Sequence, residues 1–176
     1  MKKLFLITLT LVMILGFAAC GGETAAPSTA APSAVDPLVE VTTEQGISLK
    51  LPNDMTKQSA AAYVNTKTGD SATFGVAEVT KPITEWKEEN VLATYKSKYP
   101  DAQVLSFGNG IEINGKEALV SMVTWKTPKG NEIISTLVMV TDGKTNYIIS
   151  LNYGDKSLEG LLAKNLEACI ESIKVK

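Results

Sequence analysis

Short links between strand-like segments in the second half of the chain constrain its fold most. Asn114-Gly115 and Asp142-Gly143 favour the positive φ angles of tight type I′ turns, and residues 128–131 form a four-residue link, Pro-Lys-Gly-Asn. Strands joined by such short turns lie side by side and run antiparallel. The sequence therefore predicts successive antiparallel strands at residues 103–107 with 111–113, 117–127, 132–141 and 145–153.

The strand predicted at residues 132–141 contains the run Leu-Val-Met-Val at 137–140, so both of its faces are apolar. A strand of this kind lies inside a sheet that is covered on both sides. In the last strand, side chains at alternate positions are expected in the core: Tyr147, Ile149, Leu151 and Tyr153. The first half of the chain adds three predicted strands, the third with Phe74 and Val76 towards the core, at residues 46–51, 61–66 and 71–79.

Two amphipathic helices are predicted, at residues 83–99 and 156–172. Prolines flank the first helix, and apolar residues recur every three or four positions along the second. Asp155 or Ser157 is expected to cap the second helix. Two helices and a sheet with two apolar faces predict an α+β domain, in which an antiparallel sheet of about six or seven strands carries a helix on each face as an α/β/α sandwich.

The start of the chain predicts export. Lys2 and Lys3 precede an uncharged apolar run at residues 4–17, which has the length of a signal-peptide core. A membrane-spanning helix would need about 20 apolar residues, so this run falls short of one. The segment at residues 1–19 is therefore predicted to be a signal peptide.

The apolar run ends in Phe-Ala-Ala-Cys-Gly, which resembles the lipobox of bacterial lipoproteins, with Phe17 where that family usually has Leu. The resemblance implies that Cys20 receives a diacylglyceryl group, with acyl chains such as palmitate, and that cleavage occurs before it. The alternative is an ordinary secretory signal cleaved near Ala19.

Residues 20–38 are rich in Gly, Ala, Pro, Ser and Thr, which predicts a disordered tether. Residues 39–176 are predicted to form one globular domain.

Composition excludes several classes of function. The chain contains no His and no Arg, which rules out Ser-His-Asp and Cys-His catalysis, His-ligated zinc and bidentate Arg recognition of phosphate. Without Lys2 and Lys3, 15 of the 17 basic residues remain against 19 acidic ones, which gives a net charge near −4. This charge disfavours nucleic-acid binding. The sequence of this acidic domain also shows no basic or apolar docking surface. The lipid on Cys20 is therefore the only membrane contact that we predict.

The acidic residues are predicted to lie on the surface. Glu85 and Glu89 share a face of the first predicted helix, but a calcium site needs six or more oxygen ligands, which favours a solvated face instead. The remaining candidates are assigned to turns and charge clusters: Glu112 and Glu117 beside Lys116, Asp142, and Asp155. We therefore predict no catalytic residue, no metal site and no cofactor.

Trp125 and Cys169 are the two other side chains that invite a functional interpretation. Trp125 ends a predicted strand, where packing is expected, and the alternative is an exposed anchor for a sugar or a protein partner. Cys169 lies on the apolar stripe of the last predicted helix, which favours a small buried hydrophobe over a nucleophile.

The order of the predicted elements resembles the PsbP-like fold, which DcrB-like bacterial lipoproteins share. The likeness rests on three stretches: residues 46–52, Gly-Ile-Ser-Leu-Lys-Leu-Pro; residues 113–118, Ile-Asn-Gly-Lys-Glu-Ala; and residues 147–151, Tyr-Ile-Ile-Ser-Leu, with the helix that follows. The resemblance implies a family without a shared catalytic centre, in which members serve as assembly or scaffolding subunits or have no known role. It argues against an enzyme and assigns no functional residue to this chain.

Three functions are compatible with these features. The expected one is an extracytoplasmic lipoprotein that binds an envelope protein partner without catalysis, anchored to the outer face of the cell membrane, or to an outer membrane in a Gram-negative cell. The alternative is a small-ligand-binding lipoprotein associated with a transporter, although such receptors usually have two lobes and a longer chain. A carboxylate-only hydrolase would need two acidic side chains that converge about 5–10 Å apart.

Overall fold

A seven-stranded antiparallel sheet forms the centre of the computed structural model, which describes residues 37–154 and 160–176. The four strands of the predicted hairpin ladder are neighbours in this sheet, and β5 joins them by pairing with the last one. In spatial order the strands are β3 (Thr56–Ser59), β4 (Ala62–Val64), β5 (Ser71–Glu78), β9 (Thr145–Gly154), β8 (Glu132–Thr141), β7 (Lys116–Lys126) and β6 (Gln103–Ile113).

Both faces of the sheet are covered, as the apolar run in β8 predicts. Val138 and Val140 belong to a first core cluster on one face, whereas Leu137 and Met139 belong to a second core cluster on the other face. Because successive side chains of a strand point to opposite faces, β8 contributes to both clusters. The alternate side chains of β9 are buried as predicted: Tyr147, Ile149, Leu151 and Tyr153.

A second sheet of three strands packs against the first core cluster. In it, β2 (Ile47–Pro52) pairs with β1 (Leu38–Thr42) and with β10 (Lys174–Val175). The side chains that β2 contributes to the cluster are fully buried: Ile47, Leu49 and Leu51. We predicted this strand as part of a single sheet, which was wrong. Alternation shows which side of β2 is apolar but not which strands pair with it, and β1 and β10 have weak strand patterns.

Short helices lie on both faces of the main sheet and confirm the predicted layers. A 3₁₀ turn (Ile83–Glu85) and α1 (Glu88–Lys96) pack on the second core cluster, which also contains Val91. On the opposite face, α2 (Leu161–Lys164) and α3 (Leu166–Glu171) pack on the first cluster. In the described ranges, no helix has the length and apolar character needed to cross a membrane.

Each of the two predicted helices is divided into two shorter elements, and the periodicity of apolar residues in the sequence does not show where the break falls. The first breaks at Trp86, where ψ is 140°. Asn109 Nδ2 donates to the carbonyl oxygens of Thr84 (3.0 Å) and Trp86 (2.7 Å), which secures the 3₁₀ turn to β6. The second helix breaks at Asn165, whose side-chain Nδ2 donates to the Leu161 carbonyl oxygen at 2.7 Å. The predicted caps Asp155 and Ser157 lie outside the described residues.

The two dipeptide turns differ from each other. Asn114 (φ 48°) and Gly115 (φ 76°) both have the positive φ angles of the predicted type I′ turn. At the other turn only Gly143 has a positive φ, 90°, so the type I′ prediction was wrong there. The Asp142 carboxylate accepts the backbone N–H groups of Lys144 and Thr145, which favours a different turn.

Two strand predictions need correction. The segments at 103–107 and 111–113 form one strand, β6, whose register shifts at Leu105 and Gly110 interrupt its pairing with β7. Phe74 is buried as predicted, but Val76 is 50% exposed. The reason is that β4 pairs only with the first three residues of β5, so no described strand pairs with the far end of β5 on its outer side.

Candidate functional site

A pocket of about 560 Å³ opens on the sheet face that carries α1. It exists because α1 is short and packs mainly on β6 and β7, so that only its C-terminal end reaches over the surface of β5, β9 and β8. We call it the pocket beneath α1. Its described lining residues come from these three strands, from Gly69 just before β5, from the C-terminal end of α1 and the residues just after it, and from the end of β7.

The floor of the pocket is polar because of strand register. Ser71, Asn152 and Ser135 lie directly opposite one another across β5, β9 and β8. Thr73, Ser150 and Leu137 form the next row in the same way. Residues that are up to about 80 positions apart in sequence therefore form one hydroxyl-rich surface, and the Asn152 amide donates to Ser71 Oγ at 3.2 Å.

Tyr95 joins the end of α1 to this floor. Its hydroxyl group lies 2.7 Å from Ser135 Oγ, a hydrogen bond in which either oxygen can donate. Burial raises the pKa of Tyr95, and the hydrogen bonds to Ser135 and Ser150 partly oppose that shift. The phenol therefore stays protonated near neutral pH and offers the pocket a neutral hydroxyl group.

An aromatic pair forms one wall of the pocket. Tyr99, just after α1, stacks on Trp125 at the end of β7, with 3.7 Å between ring centroids and 16° between ring planes. Trp125 is half-buried and packs on the second core cluster, as predicted for the sheet end. Trp125 also lines the pocket, so the same side chain can pack on the core and still contact a ligand.

The pocket has one charged group among its described lining residues, the side chain of Lys98. Lys98 is exposed, and no carboxylate in residues 37–154 and 160–176 forms an ion pair with it. The remaining described lining residues are hydroxyl, amide, aromatic, aliphatic or glycine residues. The site can therefore donate and accept hydrogen bonds, but it has no described carboxylate or thiol to act as a base or nucleophile.

The predicted acidic candidates lie away from this pocket. Glu85 and Glu89 are exposed, and the break after the 3₁₀ turn means that they do not share a continuous helix. Glu112 and Glu117 are exposed and directly opposite each other across the β6–β7 hairpin. In the described part of the chain, no group of three acidic or thiol side chains converges as metal ligands would.

Asp142 and Cys169 have the environments that the sequence predicts. Hydrogen bonds from the Thr145 and Lys144 backbone N–H groups lower the pKa of Asp142, which is a turn residue. Cys169 is fully buried, and burial raises its pKa to about 11. A thiol with that pKa is protonated at neutral pH, so Cys169 acts as a packing residue. Cys20 and Asp155 lie outside the described residues.

Sequence reasoning missed the pocket and its main residues, Tyr95, Ser135 and Lys98. Polar residues at alternate positions, Ser71 and Thr73 in β5 and Ser150 and Asn152 in β9, were a usable signal, because they mark one face of each strand as polar. The pairing of β5 with β9, which brings those faces together, skips over β6, β7 and β8 in the chain. No tight turn between them indicates that pairing.

Comparisons with known proteins identify the fold. The cyanobacterial PsbP protein CyanoP from Synechocystis sp. PCC 6803 superposes with a TM-score of 0.60 at 10% identity, over 85% of this chain and 99% of that one. PA94 of Pseudomonas aeruginosa, a protein of unknown function, gives a TM-score of 0.50 at 13% identity, over 80% and 99% of the two chains. No family profile and no curated protein matches the sequence. The described domain therefore has the PsbP-like fold that the order of its elements predicts.

Proposed function

We propose that this chain is an exported lipoprotein, held on the outer face of a membrane by lipid on Cys20, whose domain is a non-enzymatic binding or assembly module. The pocket beneath α1 is its binding site. The observation that carries this proposal is the chemistry of that pocket: hydroxyl groups, an aromatic wall and one lysine, with no carboxylate or thiol among the described lining residues.

Binding suits these residues better than catalysis. A hydroxyl nucleophile needs a general base within hydrogen-bond distance. The chain has no His, and the Tyr95 hydroxyl group that is hydrogen-bonded to Ser135 stays protonated near neutral pH because burial raises its pKa, so it cannot accept the Ser135 proton. The same groups serve well as hydrogen-bond partners for a bound molecule.

The anchor is supported by the charged start, the apolar run and the small residues before Cys20. Cells that are fed an alkyne-tagged palmitate should label the wild-type chain and not a Cys20→Ser variant. The wild-type chain should be recovered with the membranes, and the variant should not. Equal labelling of both chains would exclude lipid attachment at Cys20.

The binding role is testable with a variant that fills the pocket. Thr73 is exposed on the pocket floor, so Thr73→Trp should fill the pocket without disturbing the core. Thr56→Trp, on the exposed strand β3, is the matched control. Native mass spectrometry of chains released from envelopes should find a bound partner on the wild type and on the control but not on Thr73→Trp. The same partner on all three chains would contradict a role for this pocket.

A second function, small-ligand binding for a transporter, is favoured by one observation. The pocket volume of about 560 Å³ lies within the range of roughly 300–1,000 Å³ that is typical of small-molecule sites. In the same measurement, a partner of low mass would support this function, and a bound polypeptide would support an assembly role.

A further inference from the structure

The geometry points to a ligand class for the pocket beneath α1: a small amphipathic monoanion, with a compact apolar body and one carboxylate or similar singly charged group. This inference rests on the proposed binding role of the same pocket and adds the chemistry of what binds there.

The charge of the ligand follows from the lining. Lys98 is the one charged residue among the described lining residues, and no described carboxylate pairs with it or lines the pocket. An anion at the rim would gain attraction from the ammonium group, and no acid among the described lining residues would repel it. Lys98 would repel a cation, whereas a second negative charge on the ligand would have no cationic partner among the described lining residues.

The apolar body of the ligand follows from the walls. The stacked Tyr99–Trp125 pair presents aromatic surface, and Ile133, Leu137 and Ile148 add aliphatic surface from β8 and β9. Removal of apolar area from water stabilises binding in proportion to the area buried, before the costs of association are subtracted. A ligand that lacks an apolar face would leave this surface unused.

The hydroxyl-rich floor determines how the polar end of the ligand is held. The hydroxyl groups of Ser71, Thr73 and Ser150 can donate hydrogen bonds to an oxyanion and rotate to suit the acceptor. The Ser135 hydroxyl group is buried against Tyr95 and does not take part. Tyr95 already uses its hydroxyl group to hold the end of α1 above the floor, which places Lys98, two residues after α1, beside the pocket. Hydrogen bonds to charged groups are stronger than those between neutral groups, which favours the anion further.

The inference is testable with three probes of one shape and different charge: 2-naphthoate, 2-naphthalenemethanol and 2-naphthylmethylammonium. The full chain in lipid nanodiscs is titrated with each probe by calorimetry, and empty nanodiscs report partition into lipid. We expect 2-naphthoate to bind most tightly, the alcohol more weakly and the ammonium compound weakest. Added salt should weaken binding of the naphthoate but not of the alcohol.

Matched variants locate the effect. Lys98→Glu should weaken 2-naphthoate binding about fivefold, because an exposed charge contributes modestly and reversal doubles its effect. Lys96→Glu, two positions earlier at the end of α1, changes the net charge equally, and Lys96 is exposed outside the pocket, so its effect should be less than about twofold. Thr73→Trp should abolish binding of every probe, whereas Thr56→Trp should not.

Results that differ from these expectations show whether the ligand class or the binding role of the pocket is wrong. If the alcohol binds as tightly as the naphthoate, or if Lys98→Glu and Lys96→Glu behave alike, the monoanion assignment fails. If Thr73→Trp still abolishes binding in that case, the pocket stands as the site. If no probe binds the wild-type chain, the ligand class is overturned, and the comparison of Thr73→Trp with Thr56→Trp by native mass spectrometry decides the proposed function separately.

Discussion

Tyr95 connects α1 to the sheet at the edge of the pocket, and its hydroxyl group is hydrogen-bonded to Ser135. Its partner Ser135 is 1% exposed, so loss of the Tyr95 hydroxyl group leaves the Ser135 hydroxyl group without this partner and away from water. We expect Tyr95→Phe to lower the free energy of unfolding by about 1–3 kcal/mol, measured by urea denaturation.

A second variant separates this bond from lost packing. In Tyr95→Phe/Ser135→Ala both partners are removed together, so no hydroxyl group of the pair remains buried alone. The double variant should therefore lose less stability than the sum of the two single variants. Additive losses would show that the two hydroxyl groups do not depend on each other.

Cys169 packs in the first core cluster, with its pKa raised to about 11 by burial. Because the thiolate is the reactive form, the native thiol should not react with a thiol reagent near neutral pH. In a Cys20→Ser chain, where Cys169 is the only cysteine, labelling should occur only after unfolding in urea. Rapid labelling of the folded chain would show that the thiol is accessible.

At the element scale, the Asn114 turn holds the C-terminal segment in place. Asn114 Nδ2 donates to the carbonyl oxygens of Glu171 and Ile173, each at 2.8 Å, at the end of α3. Asn114→Gly keeps the positive φ angle and loses both bonds, so its free energy of unfolding should fall by about 1–2 kcal/mol in urea denaturation.

Asn114→Ala is the companion variant, because it loses the same bonds and also places a Cβ atom at a positive φ angle. It should be less stable than Asn114→Gly by about 1 kcal/mol. If Asn114→Gly were as stable as the wild type, the two hydrogen bonds would not contribute to stability.

Asp142 makes the β8–β9 turn sensitive to acid. Its pKa in the folded chain is below the ordinary 3.8, because the Thr145 and Lys144 N–H groups stabilise the carboxylate. A group with a lowered folded pKa stabilises the fold above its unfolded pKa, and that stabilisation is lost as pH falls through the folded value. Asp142→Asn should therefore reduce the loss of stability on acidification, followed as the urea midpoint at successive pH values.

Glu167→Gln removes one exposed charge from α3 and serves as the control for net charge. It should change the acid dependence less than Asp142→Asn does. An equal change in both variants would assign the effect to overall charge rather than to the turn.

For the whole molecule, the sequence predicted the fold class, because tight turns determine which strands are neighbours in the β6–β9 ladder. It did not predict that β2 leaves the main sheet, since pairing with β10 depends on a two-residue strand from the other end of the chain. It did not predict the pocket either. That site depends on the length of α1 and on the β5–β9 register, neither of which local periodicity encodes.

The central claim is that the pocket beneath α1 is where this chain meets its partner in the cell. Photo-crosslinking in intact cells tests it most directly, with p-benzoylphenylalanine in place of Ser97 at the pocket rim. The control carries the same group in place of Glu167. This residue is exposed on α3, the helix that packs on the other face of the sheet. The account predicts a discrete crosslinked species from position 97 that Thr73→Trp abolishes, and none from position 167. Equal crosslinking at both positions, or a product at position 97 that persists with Thr73→Trp, would contradict it.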